Sequence, residues 1–449
     1  MKNLSLENII AACRGTWHGD NAALHEEITA VTTDSRTVTP GCLFAAIPGE
    51  RVDGHSFVAG ALEKGAICAL VERVPEGAVG NLIVVPDTVA ALQAIAALYR
   101  AQFDIPILGI TGSVGKTTAK EMVAAVLGQR YRVHKTAGNF NNDLGVPLTI
   151  FGLNETHEAA VIEMGVSHPG DMARLAQMVQ PDMMLYTVIG HAHLEFLKSR
   201  EGILAEKSSV NAYLPADGTV FCSGDDDLLR GMQCRQQKIM YGLGEGCDLR
   251  AENIENLPDG TMRCTVLGEE RSLEVNIPAY GDHMVYAALE GAAIGMAMGL
   301  SDAEIAAGIA DYVPVGRRAR LIKTAKLTIV DDCYNANPTS TASAIRSLAH
   351  AEGRKICILG DMLELGENSE KLHFETGTLA KDCGAALVLT VGKESAETAR
   401  GAGECGRHFE RKQDLLAALP ELIEEGDTVL VKASHSMAFE EITEALERF

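Results

Sequence analysis

Short apolar runs alternate with longer amphipathic ones along most of this 449-residue chain. Near the N-terminus the runs are strand-like and bounded by turns. "CLFAAIPG" (42–49) reads as a strand ending at Pro-Gly, and "AICALVE" (66–72) and "NLIVVPD" (81–87) read as later strands. "TVAALQAIAALYRAQF" (88–103) has helical character and is expected to act as a hinge into a second domain. "PILGITG" (106–112) then predicts a buried strand. "KTTAKEMVAAVLGQ" (116–129) predicts a helix with Met122, Val123, Val126 and Leu127 on one face. Strand-like runs recur at 158–165, 183–190 and 219–225, with helical stretches among them. That alternation predicts a parallel sheet with helices on both faces.

"DYVPVGRRARLI" (311–322) carries a proline and a turn, so a boundary is expected near Tyr312. Beyond it, 327–338, 355–362, 386–392 and 428–434 read as strands separated by helices, a second and smaller α/β unit. The expected domains are 1–85, 86–312 and 313–449. A chain of this length allows about three domains. No internal repeat or low-complexity tract interrupts it.

Composition narrows the partners. Apolar residues make up 47% and charged residues 22%, ordinary for a globular protein with real cores. The net charge of −22 repels phosphate backbones, so nucleic acid is not an expected partner. An anionic ligand would need a local positive pocket. The 11 cysteines are scattered without a C-x-x-C pair, which points to reduced thiols rather than a disulfide framework or zinc site. The first apolar patch is too short and interrupted for a signal peptide, and no run approaches the roughly 18 apolar residues of a membrane span. The expectation is a soluble, cytoplasmic chain with no membrane insertion.

One stretch carries chemistry on its face. "GITGSVGKTTAKEM" (109–122) follows an apolar strand and opens an amphipathic helix, the context of a phosphate-binding loop. Its glycine spacing is shorter than G-x-x-x-x-G-K-[ST]. Gly112 and Gly115 let the backbone N–H groups of Ser113, Val114 and their neighbours approach an anion, and the helix N-terminus adds partial positive charge. Lys116 can neutralise phosphate oxygens, and Thr117, followed by Thr118, can hold Mg²⁺. The competing interpretation is a glycine turn beside a solvated lysine, which the strand–loop–helix context disfavours. No N-K-x-D motif accompanies the loop, which argues against a GTPase.

"TGSVGKTT" together with "HKTAGNFNNDLGVPLTI" (134–150) and "VIEMGVSHPGDM" (161–172) resembles the Mur ligase family, the ATP-dependent amide-forming enzymes of peptidoglycan precursor synthesis. The short loop is the normal form there. "TDSRTVTPGCLFAAIPGERVDGHSF" (33–57) is similar to the family's uridine-nucleotide domain. "DDCYNANPTS" (331–340) and "LGDMLELGENSEKLH" (359–373) resemble the branch that adds D-alanyl-D-alanine to UDP-N-acetylmuramoyl-tripeptide. The fold implied is α/β in three domains. They are a small N-terminal α/β uridine-nucleotide domain, a central P-loop ATPase domain with a parallel sheet, and a C-terminal Rossmann-like α/β domain. A monomer is expected.

The resemblance also implies roles. ATP would phosphorylate the tripeptide carboxylate, and the amine of D-alanyl-D-alanine would displace phosphate from the acyl phosphate. Two unit charges ~4 Å apart repel by ~4 kcal/mol at an effective dielectric of 20, so carboxylate and γ-phosphate need cations between them. Glu163, which ends an apolar strand, resembles the family's metal-binding acid, and His193 the second metal ligand. Lys207 stands where the family often carries a carbamylated lysine, a cation converted to a metal-ligating carboxylate. Arg317 and Asp332 resemble nucleotide contacts from the last domain, with Arg318 and Asp331 as adjacent alternatives. Tyr334, Asn335 and Asn337 would line the cleft. Ser35 and Arg36 resemble uridine-diphosphate contacts, and Asn139, Asn142 and Asp143 the sugar-peptide region. Glu364 and Glu367 belong to a recognised motif whose physical role the sequence does not reveal.

The chain departs from the pattern at four places. Ala287 stands where an adenine-contacting Asn is usual, His435 where Arg is common, Val188 where Asn is frequent, and "FLKS" (196–199) replaces Phe-Gly-Ser. Losing one hydrogen-bonding side chain typically costs about 0.5–1.5 kcal/mol, so nucleotide affinity is where these changes would tell. Two other interpretations compete with this one: a sister ligase adding the third residue, and a nucleotide-binding regulator without catalysis. "YGLGEG" (241–246) is read as a turn.

Overall fold

The computed structural model describes residues 1–49, 52–257, 260–269, 271–279 and 281–449. Glu50 and Arg51 of the 33–57 segment lie outside the described residues. Three sheets follow one another along the chain.

The N-terminal sheet has the spatial order Thr16–His18, Leu82–Val84, Cys68–Val71, Leu43–Ala45, Val31–Thr32. Its last four strands are parallel and the first is antiparallel. Cys68–Val71 is buried at all four positions, the pattern of a strand covered on both faces. The two outer strands are too short to show in any periodicity.

Helix Thr88–Arg100 starts at Asp87, whose carboxylate accepts from Val89 N and Ala90 N at 2.8 and 2.9 Å. It is a packed link rather than the expected hinge. Leu92, Ile95 and Ala96 share one core with Leu6 and Ile9 on one side and Val146, Ile150 and Met172 on the other. Arg100 closes the junction, donating to Val179 O at 2.8 Å. An apolar face continuous with both cores cannot swing without exposing them.

The central sheet has nine strands: Ser272–Ile277, Met262–Leu267, Leu249–Asn256, Gln237–Gly242, Thr219–Ser223, Met183–Tyr186, Ile107–Thr111, Ala159–Glu163, Val133–Lys135. From Leu249–Asn256 to Val133–Lys135 every pair is parallel, as expected. The first two strands add antiparallel pairs, so the sheet is mixed. Ser272–Ile277 alternates exposed and buried residues, the signature of an edge with one face in water. Tyr241 and Gly242 end strand Gln237–Gly242, and 243–246 makes the expected turn.

The C-terminal sheet has the order Arg320–Lys323, Thr328–Asp331, Thr428–Lys432, Lys355–Gly360, Leu387–Val391, Gly406–Phe409. All pairs but the first are parallel. The four strands expected here form. Arg320–Lys323 and Gly406–Phe409, polar edges without an apolar run, were not foreseen. Among the described residues no helix is long and apolar enough to cross a membrane. All 11 cysteines are free thiols.

Candidate functional site

The site begins where strand Ile107–Thr111 ends. The chain leaves the sheet at Gly112, φ 150°, and enters helix Lys116–Leu127 through Gly115, φ 87°. A Cβ on Gly112 would lie 1.9 Å from Thr187 Oγ1, so only glycine fits. The loop is tied to the neighbouring strand end. Ser113 N donates to Val188 O at 2.8 Å, and Thr187 Oγ1 donates to Val114 O at 2.5 Å. The first N–H groups of the helix have no acceptor one turn back and face the loop, where they favour an anion. Lys116 Nζ donates to Gly112 O at 2.8 Å, which keeps the ammonium beside those amides. Burial lowers the Lys116 pKa, and Glu163 opposes the fall.

Glu163 closes the adjacent strand and is 1% exposed. Its Oε2 accepts from Thr117 Oγ1 at 3.0 Å and its Oε1 from Asn141 Nδ2 at 2.7 Å. The strand-end acid is therefore a buried partner of the loop, not a solvated terminus. Asn141 was not singled out from the sequence. It lies between Asn139 and Asn142 in "GNFNND", and nothing in the linear pattern says which amide turns inward.

A cavity of about 760 Å³ spreads from this loop. Ser113 to Thr118, Asn139, Asn142, Glu163 and His193 line it from the central domain, and Asp332, Asn335 and Asn337 face them. Gly190 allows the two walls to meet, since a Cβ there would lie 2.3 Å from Thr339 Oγ1, which also accepts from His191 N at 3.2 Å. Asn142 and Asn337 have structural duties as well. Asn142 Oδ1 accepts from Gly145 N at 2.9 Å, and Asn337 caps helix Pro338–Ala349. Asp143 turns away toward Arg174, 3.2 Å distant.

Not every expected residue lines the cavity. Arg317 is held by Asp331 at 3.0 Å and Glu444 at 3.1 Å, while Arg318 lines the cleft with its guanidinium 3.8 Å from the centre of the Tyr334 ring. Asp331 is fully buried, whereas Asp332 reaches the cleft and holds Lys432 at 2.5 Å. Ser35 and Arg36 sit on the N-terminal sheet's turn, away from the cavity wall. Arg36 pairs with Asp34 at 2.6 Å, which drops the Asp34 carboxyl to about 2.

Lys207 is 1% exposed and its Nζ has no hydrogen-bond partner among the described residues. Burial pushes its pKa well down, and the charge of Lys116 pushes in the same direction. A neutral amine is the form that adds CO₂. His193 lines the cavity but its Nδ1 is engaged by Glu364 at 2.5 Å. Among the described residues no three His, Cys, Asp or Glu side chains gather as a metal site. One carboxylate and one hydroxyl, completed by phosphate oxygens and water, still suit Mg²⁺, which seldom takes an all-protein cage.

Residues 27–100 match the model described as "Mur ligase family, catalytic domain", 110–297 the "Mur ligase middle domain" and 317–435 the "Mur ligase, glutamate ligase domain". The UDP-N-acetylmuramoyl-tripeptide–D-alanyl-D-alanine ligase of Bacillus subtilis (strain 168) is 40% identical over 429 residues, 93% of each chain. The chain belongs to the Mur ligase family.

The corresponding ligase of Escherichia coli (strain K12) is 37% identical over 456 residues, covering 100% of this chain and 99% of its own. Among solved structures, MurF from Acinetobacter baumannii superposes with a TM-score of 0.93 at 32% identity over 99% of both chains. MurF from Thermotoga maritima, solved in complex with ADP, gives a TM-score of 0.83 at 27% identity, over 93% of this chain and 97% of its own. The three-domain α/β architecture of this Mur ligase is thus that of its relatives.

Proposed function

We propose that this chain joins D-alanyl-D-alanine to UDP-N-acetylmuramoyl-tripeptide, with ATP converted to ADP and phosphate. The supporting observation is the Lys116–Thr117–Glu163 arrangement at one wall of a cavity whose other wall carries Arg318, Asp332 and Lys432. Nucleotide and acceptor can therefore be held from two domains at once.

The chemistry follows from charge. Loop amides and Lys116 bind the triphosphate and draw negative charge from the γ-phosphate. The tripeptide carboxylate attacks phosphorus, ADP departs, and the acyl phosphate forms. The amine of D-alanyl-D-alanine then attacks the acyl carbon, phosphate leaves, and the amine's proton is lost. Mg²⁺, when bound, screens carboxylate from phosphate. Thr117 and Glu163 are the residues assigned to hold it, with His193 and carbamylated Lys207 assigned to a second ion. Arg318 stands in for Arg317 as the cleft cation, and Asp332 keeps its assignment. Ser35 and Arg36 are assigned to the uridine diphosphate, and Asn139, Asn142, Asn335 and Asn337 to the peptide side. Closure of residues 313–449 over the cavity keeps water from the acyl phosphate. The chain is assigned as a cytoplasmic monomer.

Phosphate release with ATP, Mg²⁺, the tripeptide precursor and D-alanyl-D-alanine tests this reading. Turnover is expected only with all four. Turnover with free diaminopimelate or lysine on a dipeptide precursor would overturn it in favour of a sister ligase, and ATP binding without turnover in favour of a regulator.

A further inference from the structure

Glu290 is a buried acid that the mechanism above does not use. It lies on helix His283–Ala297, is 4% exposed, and lines the nucleotide cavity. That helix is pressed against the phosphate-loop helix, for a Cβ on Gly295 would come 2.9 Å from Val126. Glu290 is thus held in fixed relation to the loop. Ala287, one turn earlier on the same wall, brings no hydrogen-bonding side chain.

Tyr241 is the hydrogen-bonding partner of Glu290, and the Tyr241 hydroxyl has other acceptors in reach. Tyr241 OH stands 2.7 Å from Glu290 Oε1 and 2.9 Å from Tyr186 O. A phenol has one proton, and a carbonyl only accepts. When Tyr241 donates to Tyr186 O, the contact with Glu290 needs a proton on Oε1. A protonated Glu290 donating to Tyr241, which donates to Tyr186 O, satisfies all three groups. Among the described residues no lysine or arginine pairs with Glu290 to favour its charged form. Burial pushes its carboxyl up to about 8, and a hydrogen bond donated by Tyr241 opposes that rise. Its Oε2 receives no hydrogen bond from the described residues.

We propose that Glu290 selects the base of the nucleotide: as a neutral carboxylic acid it presents Oε2 as an acceptor to the exocyclic amino group of a 6-aminopurine. A phosphate is excluded as its partner, because two acceptors would face one another. A 6-oxopurine is disfavoured for the same reason, since its oxygen would leave Oε2 unpaired. The inference rests on the nucleotide use proposed above and adds the reason that ATP is taken rather than GTP.

Equilibrium binding of ADP, GDP and 2′-deoxy-ADP to the full chain tests it, beside thermal unfolding of each variant. The unaltered protein is expected to prefer ADP over GDP. Glu290→Leu should narrow that preference about ten-fold through weaker ADP binding, the size of one lost hydrogen bond. Glu290→Gln, a neutral acceptor of the same shape, should retain most of it. Glu290→Asp, which withdraws the acid by one methylene, is the second variant should Glu290→Leu fail to fold, and it should narrow the preference too. An unmoved ADP-to-GDP ratio in folded variants overturns the proposal and leaves Glu290 a packing residue. Discrimination against 2′-deoxy-ADP that disappears with Glu290 also overturns it, in favour of a ribose contact. Protein that binds neither ADP nor GDP overturns the ligase reading itself.

Discussion

His193 Nδ1 and Glu364 Oε2 stand 2.5 Å apart although 171 residues separate them in the chain. The pair spans the cleft between the central and C-terminal sheets. Glu364 adopts φ 61°, and its carbonyl accepts from Glu195 N at 3.2 Å, so backbone and side chain both bridge the gap. His373 supports the loop, accepting from Met362 N at 3.0 Å and pairing with Ser369 O at 2.8 Å. The "LGDMLELGENSEKLH" segment thereby gains a physical role, a latch between walls.

Glu364→Gln removes the charge from this latch. Both side chains are partly exposed, so global stability should change by less than about 1 kcal/mol in urea unfolding. The relation of the two domains should loosen instead. Small-angle scattering with an ATP analogue and precursor should show less compaction than for the unaltered chain. Equal compaction would show that Glu364 is dispensable for closure.

Lys116→Ala removes the ammonium held beside the loop amides. Turnover should fall at least about a hundred-fold, the effect of deleting one group that stabilises transition-state charge. Thermal unfolding should move little, since the lost bond is a single contact to Gly112 O. Near-normal phosphate release would refute the loop assignment.

Gly112→Ala asks whether the loop tolerates a side chain. The left-handed φ and the contact with Thr187 together should destabilise the fold by about 1–3 kcal/mol in urea and weaken nucleotide binding. Adding Thr187→Ala removes the closest clash together with the Thr187 Oγ1–Val114 O bond, and so should restore at most a fraction of the stability.

Glu290 should give the protein a visible pH dependence. Burial lifts the Glu290 carboxyl from its ordinary 4.5 to about 8. Between those values the folded state holds the extra proton, so stability should fall as pH rises through this window and level off above it. The slope is at most about 1.4 kcal/mol per pH unit. Tyr241, the titratable group in contact, stays neutral there because burial raises its pKa. Glu290→Gln should flatten the profile in urea titrations at about pH 5 and about pH 8.

Residues acting within one local segment were legible before any fold was known. The phosphate loop is one, because strand, glycines, lysine and helix follow one another and each local preference supports the next. The strands at 355–362 and 428–434 are others, being apolar runs bounded by turns. Short polar edges such as Gly406–Phe409 were not legible, since their pairing partner rather than their composition makes them strands.

The chain's linear order by itself determined a succession of three α/β domains, an anion-binding bend and the acid that ends the next strand, because these depend on neighbours within a few residues. Tertiary structure alone decided which of two adjacent side chains turns to the cleft. Asp331 ends its strand buried against Arg317, while Asp332, the first residue beyond the strand, reaches Lys432. It alone brought Asn141 to Glu163, Glu364 to His193 and Tyr241 to Glu290. Each of those contacts joins residues distant in the chain, and only the packing of whole elements sets their separation.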